Sequence, residues 1–214
     1  MIKAIIFDLD GVIVSTDHYH YQAWKRIADK LNIPFDEEAN NHLRGVSRME
    51  SLDIILSGSD IRFSEEEKVV LAKEKNDDYR KLLEQLTPAD LSKEVEESLL
   101  ALRERGLKLA IGSSSKNAWT ILSRIGLGDF FDAVSDGTRI TNSKPDPEVF
   151  LKASEYLLCE PEECLVVEDA VAGIIAGHRA GMKTIAIGDA KSYYETDYKV
   201  NEFSDIIGIV EGMK

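Results

Sequence analysis

The sequence predicts an α/β protein: a doubly wound, Rossmann-like parallel sheet carrying an inserted all-helical unit. Three observations predict it. Short apolar, β-branched runs recur along the chain as buried strands do. Amphipathic helical patterns that end at glycine lie between them, and strands alternating with helices imply parallel pairing. The stretch 16–86 breaks the alternation, offering helical signals and no convincing buried strand.

The first run, Ile2 to Phe7, stops at a turn signal at Gly11. Within 16–86, Trp24, Ile27, Ala28 and Leu31 follow helical spacing. Ser64-Glu65-Glu66-Glu67 is a capping box ahead of a long helix through Tyr79, Leu82, Leu83 and Leu86. After Thr87-Pro88 the alternation resumes. Val95, Leu99 and Leu102 form a helix ending at Gly106, and Leu107 to Ile111 a strand. A helix is expected to begin at Pro145, Leu165 to Val167 is a strand, Ala170 to Ala180 a helix ending at Gly181, and Thr184 to Ile187 a strand. The expected division is therefore a core domain of 1–15 and 87–214 and a helical cap of 16–86, with hinges near Ser15 and Thr87.

Composition narrows the function. The chain has 214 residues, 43% hydrophobic and 30% charged, as a soluble globular protein does. A formal net charge of −13 with no basic stripe argues against nucleic acid as a partner. No apolar run is long enough for a bilayer and no secretory pattern opens the chain, so no membrane partner and a cytoplasmic location are expected. Two cysteines, Cys159 and Cys164, make no disulfide framework in a chain of this length. A monomer is the default expectation.

In an open parallel sheet, ligands sit beyond the carboxyl ends of the strands. The residues that follow the apolar runs are Asp8 and Asp10, then Ser113-Ser114-Ser115-Lys116-Asn117, then Glu168 and Asp169, with Lys144 before Pro145. In an extended strand Asp8 and Asp10 would share one side, roughly 6 to 7 Å apart, leaving room for a phosphoryl group. Taken singly, each cluster has a plainer reading as a turn, a helix cap or dipole-favoured acids. Together they form a phosphoryl-transfer site. Close carboxylate pairs repel by roughly 4 kcal/mol at an effective dielectric of 20, so the acids require a cation, and oxygen ligands around a phosphate select Mg2+. Lys144 and the serine hydroxyls supply donors for the transferring group.

Asp8-Leu9-Asp10-Gly11, Ser113, Lys144-Pro145 and Glu168-Asp169, in that order over almost the whole chain, resemble the motifs of the haloacid dehalogenase superfamily of aspartyl-phosphate enzymes. The resemblance implies that Asp8 is the nucleophile and a Mg2+ ligand and Asp10 the general acid and base. It also implies that Asp10, through its carbonyl, and Asp169 complete the metal shell, with Glu168 beside them. Asp10 argues against dehalogenation, which has no leaving oxygen to protonate.

The helical stretch is similar to the small four-helix cap of the sugar-phosphate mutases within that superfamily. The similarity rests on Thr16, Tyr19-His20, Ala23-Trp24, Arg44-Gly45-Val46-Ser47-Arg48, Ser51, Lys75-Asn76-Asp77 and Ser115-Lys116-Asn117. It implies a phosphorylated hexose substrate bound by Thr16, His20, Trp24, Arg44, Gly45, Val46, Ser47, Arg48, Ser51, Lys75, Ser113, Ser114, Ser115, Lys116, Asn117 and Lys144. Arg48 would grip the distal phosphate through its bidentate fork, His20 and Lys75 would form a hinge-side relay, and Lys116 and Asn117 would help hold the sugar. Departures are Ser15, Arg44 and Ser114, where Asp, Lys and Ala are usual. The implied reaction moves a phosphoryl group between C1 and C6 of β-glucose phosphate through the 1,6-bisphosphate. A sugar-phosphate phosphatase and a non-catalytic phosphosugar binder remain as alternatives.

Overall fold

In the computed structural model, which describes residues 1–44, 46–59 and 61–213, the chain divides into two compact units, Met1–Ser15 with Thr87–Lys214, and Thr16–Leu86. The first unit is built on a six-stranded sheet. Its strands are β1 (Ala4–Phe7), β2 (Lys108–Gly112), β3 (Ala133–Ser135), β4 (Cys164–Glu168), β5 (Lys183–Ala186) and β6 (Tyr198–Lys199). Their order is β3-β2-β1-β4-β5-β6, and every pairing is parallel. β1 lies in the middle, with Phe7 level with Ile111 of β2 and Val167 of β4. The order reverses there, so the residues that follow β1, β2 and β4 emerge together at the switch point where such sheets bind ligands.

All four residues of β1 are fully buried, because both faces of a parallel sheet are covered. Ala4 and Ile6 pack with Ala110 and Val166 against Val149, Phe150 and Ala153 of α7 (Glu148–Leu157) and Ala176 of α8 (Val171–Arg179). On the other face Phe7 stacks on Phe203, centroids 5.5 Å apart, just ahead of α9 (Asp205–Gly212). α5 (Lys93–Glu104) and α6 (Ala118–Arg124) complete the unit. Gly106 and Gly181 follow α5 and α8 with φ of +81° and +78°, the left-handed stops their sequence positions suggest.

Two local expectations are corrected and two unpredicted strands are added. The helix after Lys144 starts at Glu148, capped by Pro147, because Pro145 and Pro147 belong to a turn in which Asp146 Oδ1 accepts the Glu148 N–H at 3.0 Å. β3 and β6, of three and two residues, are too short to show a period of two in sequence. β1 ends at Phe7, so a loop rather than strand pleating places Asp8 and Asp10. Asp8 N–H still bonds to Val167 O at 2.9 Å, Leu9 is fully buried, and Asp10 bridges to Val14.

The unit Thr16–Leu86 is helical among its described residues: α1 (Asp17–Lys30), α2 (Glu37–Asn41), α3 (Arg48–Leu56) and α4 (Glu65–Leu83). Trp24, Ile27 and Ala28 of α1 meet Leu52, Ile55 and Leu56 of α3 and Leu71 and Ala72 of α4 in one core. Ser64 caps α4 as its spacing suggests: its hydroxyl accepts the Glu67 N–H at 3.2 Å, and Glu67 accepts the Ser64 N–H at 2.7 Å. Ser47 and Glu50 make the same exchange at the start of α3. Among the described residues no helix is long and apolar enough to cross a membrane.

Candidate active site

Asp8, Lys144, Glu168 and Asp169 come together at the carboxyl ends of β1 and β4. Lys144, only 3% exposed in its side chain, bonds both Asp8 and Glu168, whose side chains are themselves buried. The four belong to segments far apart in sequence and meet only because β4 pairs with β1 and the loop before α7 reaches over both.

The electrostatics of this cluster are unbalanced. Burial works against the Lys144 charge, but the carboxylates of Asp8 and Glu168 outweigh it and hold the ammonium well above its ordinary range. Burial pushes the Glu168 carboxyl up to about 7, with Asp8 adding to the effect and Lys144 opposing it. Burial again, then the charges of Glu168, Asp8 and Asp10, raise Asp169 to about 8. A single ammonium leaves the group with excess negative charge. One oxygen each of Asp8, Glu168 and Asp169 lies within 4.8 Å of the others. An oxygen-only, over-charged, partly buried set of this kind suits a hard divalent cation. Asp10 lies outside that set, although its charge reaches Asp169.

Two glycines make room for the acids. Gly11 has φ of +90°, and a Cβ there would overlap the Asp169 carboxylate, so the residue must be small as well as left-handed. A Cβ at Gly173, in the first turn of α8, would overlap the Glu168 side chain. Glu168 also accepts the Ala170 N–H at 3.0 Å, which fixes its carboxylate against the start of that helix.

Beyond β2, Ser113 is buried and accepts the Ser115 N–H at 3.2 Å. Ser115 in turn accepts the Asn117 N–H at 3.2 Å. These serines hold the loop that ends at Asn117, the cap position of α6. The Ser114 hydroxyl is buried without a hydrogen-bond partner among the described residues, and Lys116 is exposed.

The helical unit gathers a second set. Lys75, 2% exposed, places Nζ 4.7 Å from the Trp24 ring centroid, 4.6 Å from that of Tyr79 and 2.8 Å from His20 Nδ1. Tyr79 also exchanges a 2.7 Å hydrogen bond with the buried Thr16 hydroxyl. Burial, then the charges of Lys75 and Arg48, hold His20 well below its ordinary range, so its Nδ1 accepts from the ammonium. Arg48, half-buried at the start of α3, has its pKa lowered by burial, against the opposing influence of Tyr79 and Asp77.

The other cap residues are placed differently. Arg44 pairs with Asp17 and is not on a helix with Arg48. Ser47 spends its hydroxyl on the α3 cap, Ser51 is buried on α3, and Val46 packs on the helical core. Gly45 lies outside the described residues. Tyr79 is the member of this cluster that the sequence did not single out as a site residue; its spacing of four from Lys75 along a helix was the available signal.

A parallel sheet that collects a paired aspartate and lysine, a buried glutamate and a further aspartate at its switch point defines an enzyme of carboxylate-based group transfer. The chain belongs to the haloacid dehalogenase-like hydrolase family, whose sequence profile matches residues 5–187. It is 42% identical over 206 residues to the beta-phosphoglucomutase of Bacillus subtilis, spanning 95% of this chain and 91% of that one. It is 31% identical over 201 residues to the phosphorylated carbohydrates phosphatase of Thermotoga maritima, spanning 90% of each. The crystal structure of beta-phosphoglucomutase from Clostridium difficile superposes with a TM-score of 0.91 at 39% identity, covering 99% of this chain and 96% of that one. Together with the oxygen set at Asp8, Glu168 and Asp169, these relationships imply a divalent metal.

Proposed function

We propose that the enzyme interconverts β-glucose 1-phosphate and β-glucose 6-phosphate by way of β-glucose 1,6-bisphosphate. The observation that carries the reading is the buried cluster of Asp8, Lys144, Glu168 and Asp169. The 42% identity to a beta-phosphoglucomutase supports the choice of reaction.

In the first half of the proposed cycle an Asp8 carboxylate oxygen attacks one phosphorus of β-glucose 1,6-bisphosphate and the bond from that phosphorus to the sugar oxygen breaks, so that a glucose monophosphate leaves. Asp10 gives its proton to that oxygen, leaving the phosphoryl group on Asp8. In the second half the free hydroxyl of a glucose monophosphate, at C6 of the 1-phosphate or C1 of the 6-phosphate, attacks the aspartyl phosphate, Asp10 takes its proton, and the Asp8 carboxylate and the 1,6-bisphosphate are regenerated. Lys144 and Ser113 hold the transferring group. Mg2+, held by Asp8, Asp169, Glu168 and the Asp10 carbonyl, would offset the repulsion between the attacking carboxylate and an anionic phosphate.

Arg48 is assigned to the distal phosphate, and Lys116 and Asn117 to the sugar. Thr16, His20, Trp24 and Lys75, in the cluster completed by Tyr79, are assigned to the cap function. That function is to keep water from the aspartyl phosphate until a sugar hydroxyl arrives. Ser114, Ser115, Arg44, Gly45, Val46, Ser47 and Ser51 complete the proposed binding segments.

The 31% identity to a sugar phosphatase favours one alternative, in which water replaces the second hydroxyl. Product partition separates the two. With β-glucose 1-phosphate, Mg2+ and a trace of the bisphosphate, the mutase reading expects glucose 6-phosphate without release of inorganic phosphate. Dominant phosphate release overturns it.

A further inference from the structure

We infer that Phe150 is a positioning residue for Lys144, its ring face holding the ammonium at the phosphoryl site. The inference rests on the phosphoryl-transfer reading above. Lys144 Nζ lies 4.8 Å from the Phe150 ring centroid, within the range of a cation–π contact. Its carboxylate partners, Asp8 and Glu168, take two of the three ammonium donors, leaving one for a substrate oxygen. A lysine is a point charge on a flexible four-carbon stem, so its direction must be set by what surrounds it.

The ring is itself fixed. Phe150 is fully buried in the core between β2 and α7. Its edge fills the space in front of Gly112, where a Cβ would stand 2.7 Å from Cδ1 and 2.8 Å from Cε1. Gly112 ends β2 and directly precedes Ser113, so one ring touches the backbone that carries the serine and also faces the lysine. The loop that carries Lys144 is tied on both sides. Glu148 accepts the N–H groups of Thr141 and Asn142 at 2.9 and 2.8 Å, Arg179 Nη1 donates to Pro145 O at 2.9 Å, and the Phe150 N–H bonds to Pro147 O at 3.0 Å. The two acids fix the ammonium from the front, and the negative face of the ring holds it from the core side.

Fluorination removes the quadrupole of a phenyl ring while nearly keeping its shape, so it separates attraction from packing. Phe150 is replaced in the full-length, Mg2+-loaded enzyme by mono-, di- and trifluorophenylalanine. kcat/KM for phosphoryl transfer from the sugar bisphosphate is expected to fall stepwise, by about tenfold across the series, with Tm unchanged. An active wild type with a flat series overturns the inference and leaves the function standing. A wild type that transfers no phosphoryl group overturns the function and this role with it. A second measurement does not depend on turnover. In the wild type the Lys144 ε-methylene proton resonance is expected upfield, shifted by the ring current, and in Phe150→Leu it is expected to return to the ordinary lysine position. An ordinary position in the wild type overturns the placement.

Discussion

Stripping divalent metal from the protein and raising the pH is expected to destabilise it, and the acids beyond β4 set the size of the effect. Glu168 and Asp169 have carboxyls raised in the folded state, to about 7 from 4.5 and to about 8 from 3.8. Groups with raised folded values bind more protons folded than unfolded. Their contribution is fully present below pH about 4 and is lost as the pH climbs through 7 to 8. Glu168 is 1% exposed, and its displacement from 4.5 to about 7 corresponds to roughly 3 kcal/mol at about 1.4 kcal/mol per pH unit. Asp169 is less completely buried, and water screening leaves it a smaller share than its displacement implies. A divalent cation held by these acids would favour their ionised, folded form, so saturation at a hundred times Kd would return roughly 3 kcal/mol. The assay is urea unfolding followed by circular dichroism at pH 5, 6.5 and 8, in EDTA and in Mg2+, for the wild type and Asp169→Asn. The wild type in EDTA should lose stability from pH 5 to 8, Mg2+ should restore it at pH 8, and Asp169→Asn in EDTA should lose less. Metal-free wild type that holds or gains stability relative to Asp169→Asn over that interval would mean that these carboxyls are not raised by folding.

Other expectations follow from single side chains. Asp8→Asn should fold and show no measurable turnover, because an amide is neither a comparable nucleophile nor a strong metal ligand; near-normal product formation removes Asp8 from its role. Arg48→Ala should lower turnover on the glucose phosphates far more than hydrolysis of a small phosphoester such as p-nitrophenyl phosphate, and equal losses would argue against a grip on a second phosphate. Gly173→Ala should cost about 1–3 kcal/mol in urea unfolding, because its Cβ would overlap the Glu168 side chain; a stabilised variant would mean that Glu168 has another place to go.

Much of this architecture is written in local patterns. The run ending at Phe7, the glycines at 106 and 181 and the Ser64 capping box each depend on near neighbours, and each is where the sequence places it. The meeting of Asp8, Glu168, Asp169 and Lys144 was legible because strand ends converge in a parallel sheet, whatever the details of their loops. What stayed hidden depends on tertiary neighbours. β3 and β6 owe their existence to the strands beside them, since runs of three and two residues carry no period. The start of α7 is set by the Asp146 turn, not by the first proline. Ser47 has the residue type of a phosphate ligand, yet Glu50, three residues on, draws it into a helix cap. Tyr79 looks like ordinary core until Lys75, His20 and Thr16 are seen around it, and Phe150 has no sequence signal linking it to a lysine six residues earlier.

The central claim is that one carboxylate, Asp8, carries the phosphoryl group between two hydroxyls of a hexose. Rapid quenching of the Mg2+-loaded enzyme after mixing with ³²P-labelled β-glucose 1,6-bisphosphate, followed by peptide mapping, tests it most directly. A transient label is expected on the Asp8 peptide, chasing into glucose phosphate at the rate of turnover. Turnover with no label on that peptide, or label that leaves only as inorganic phosphate, would contradict it.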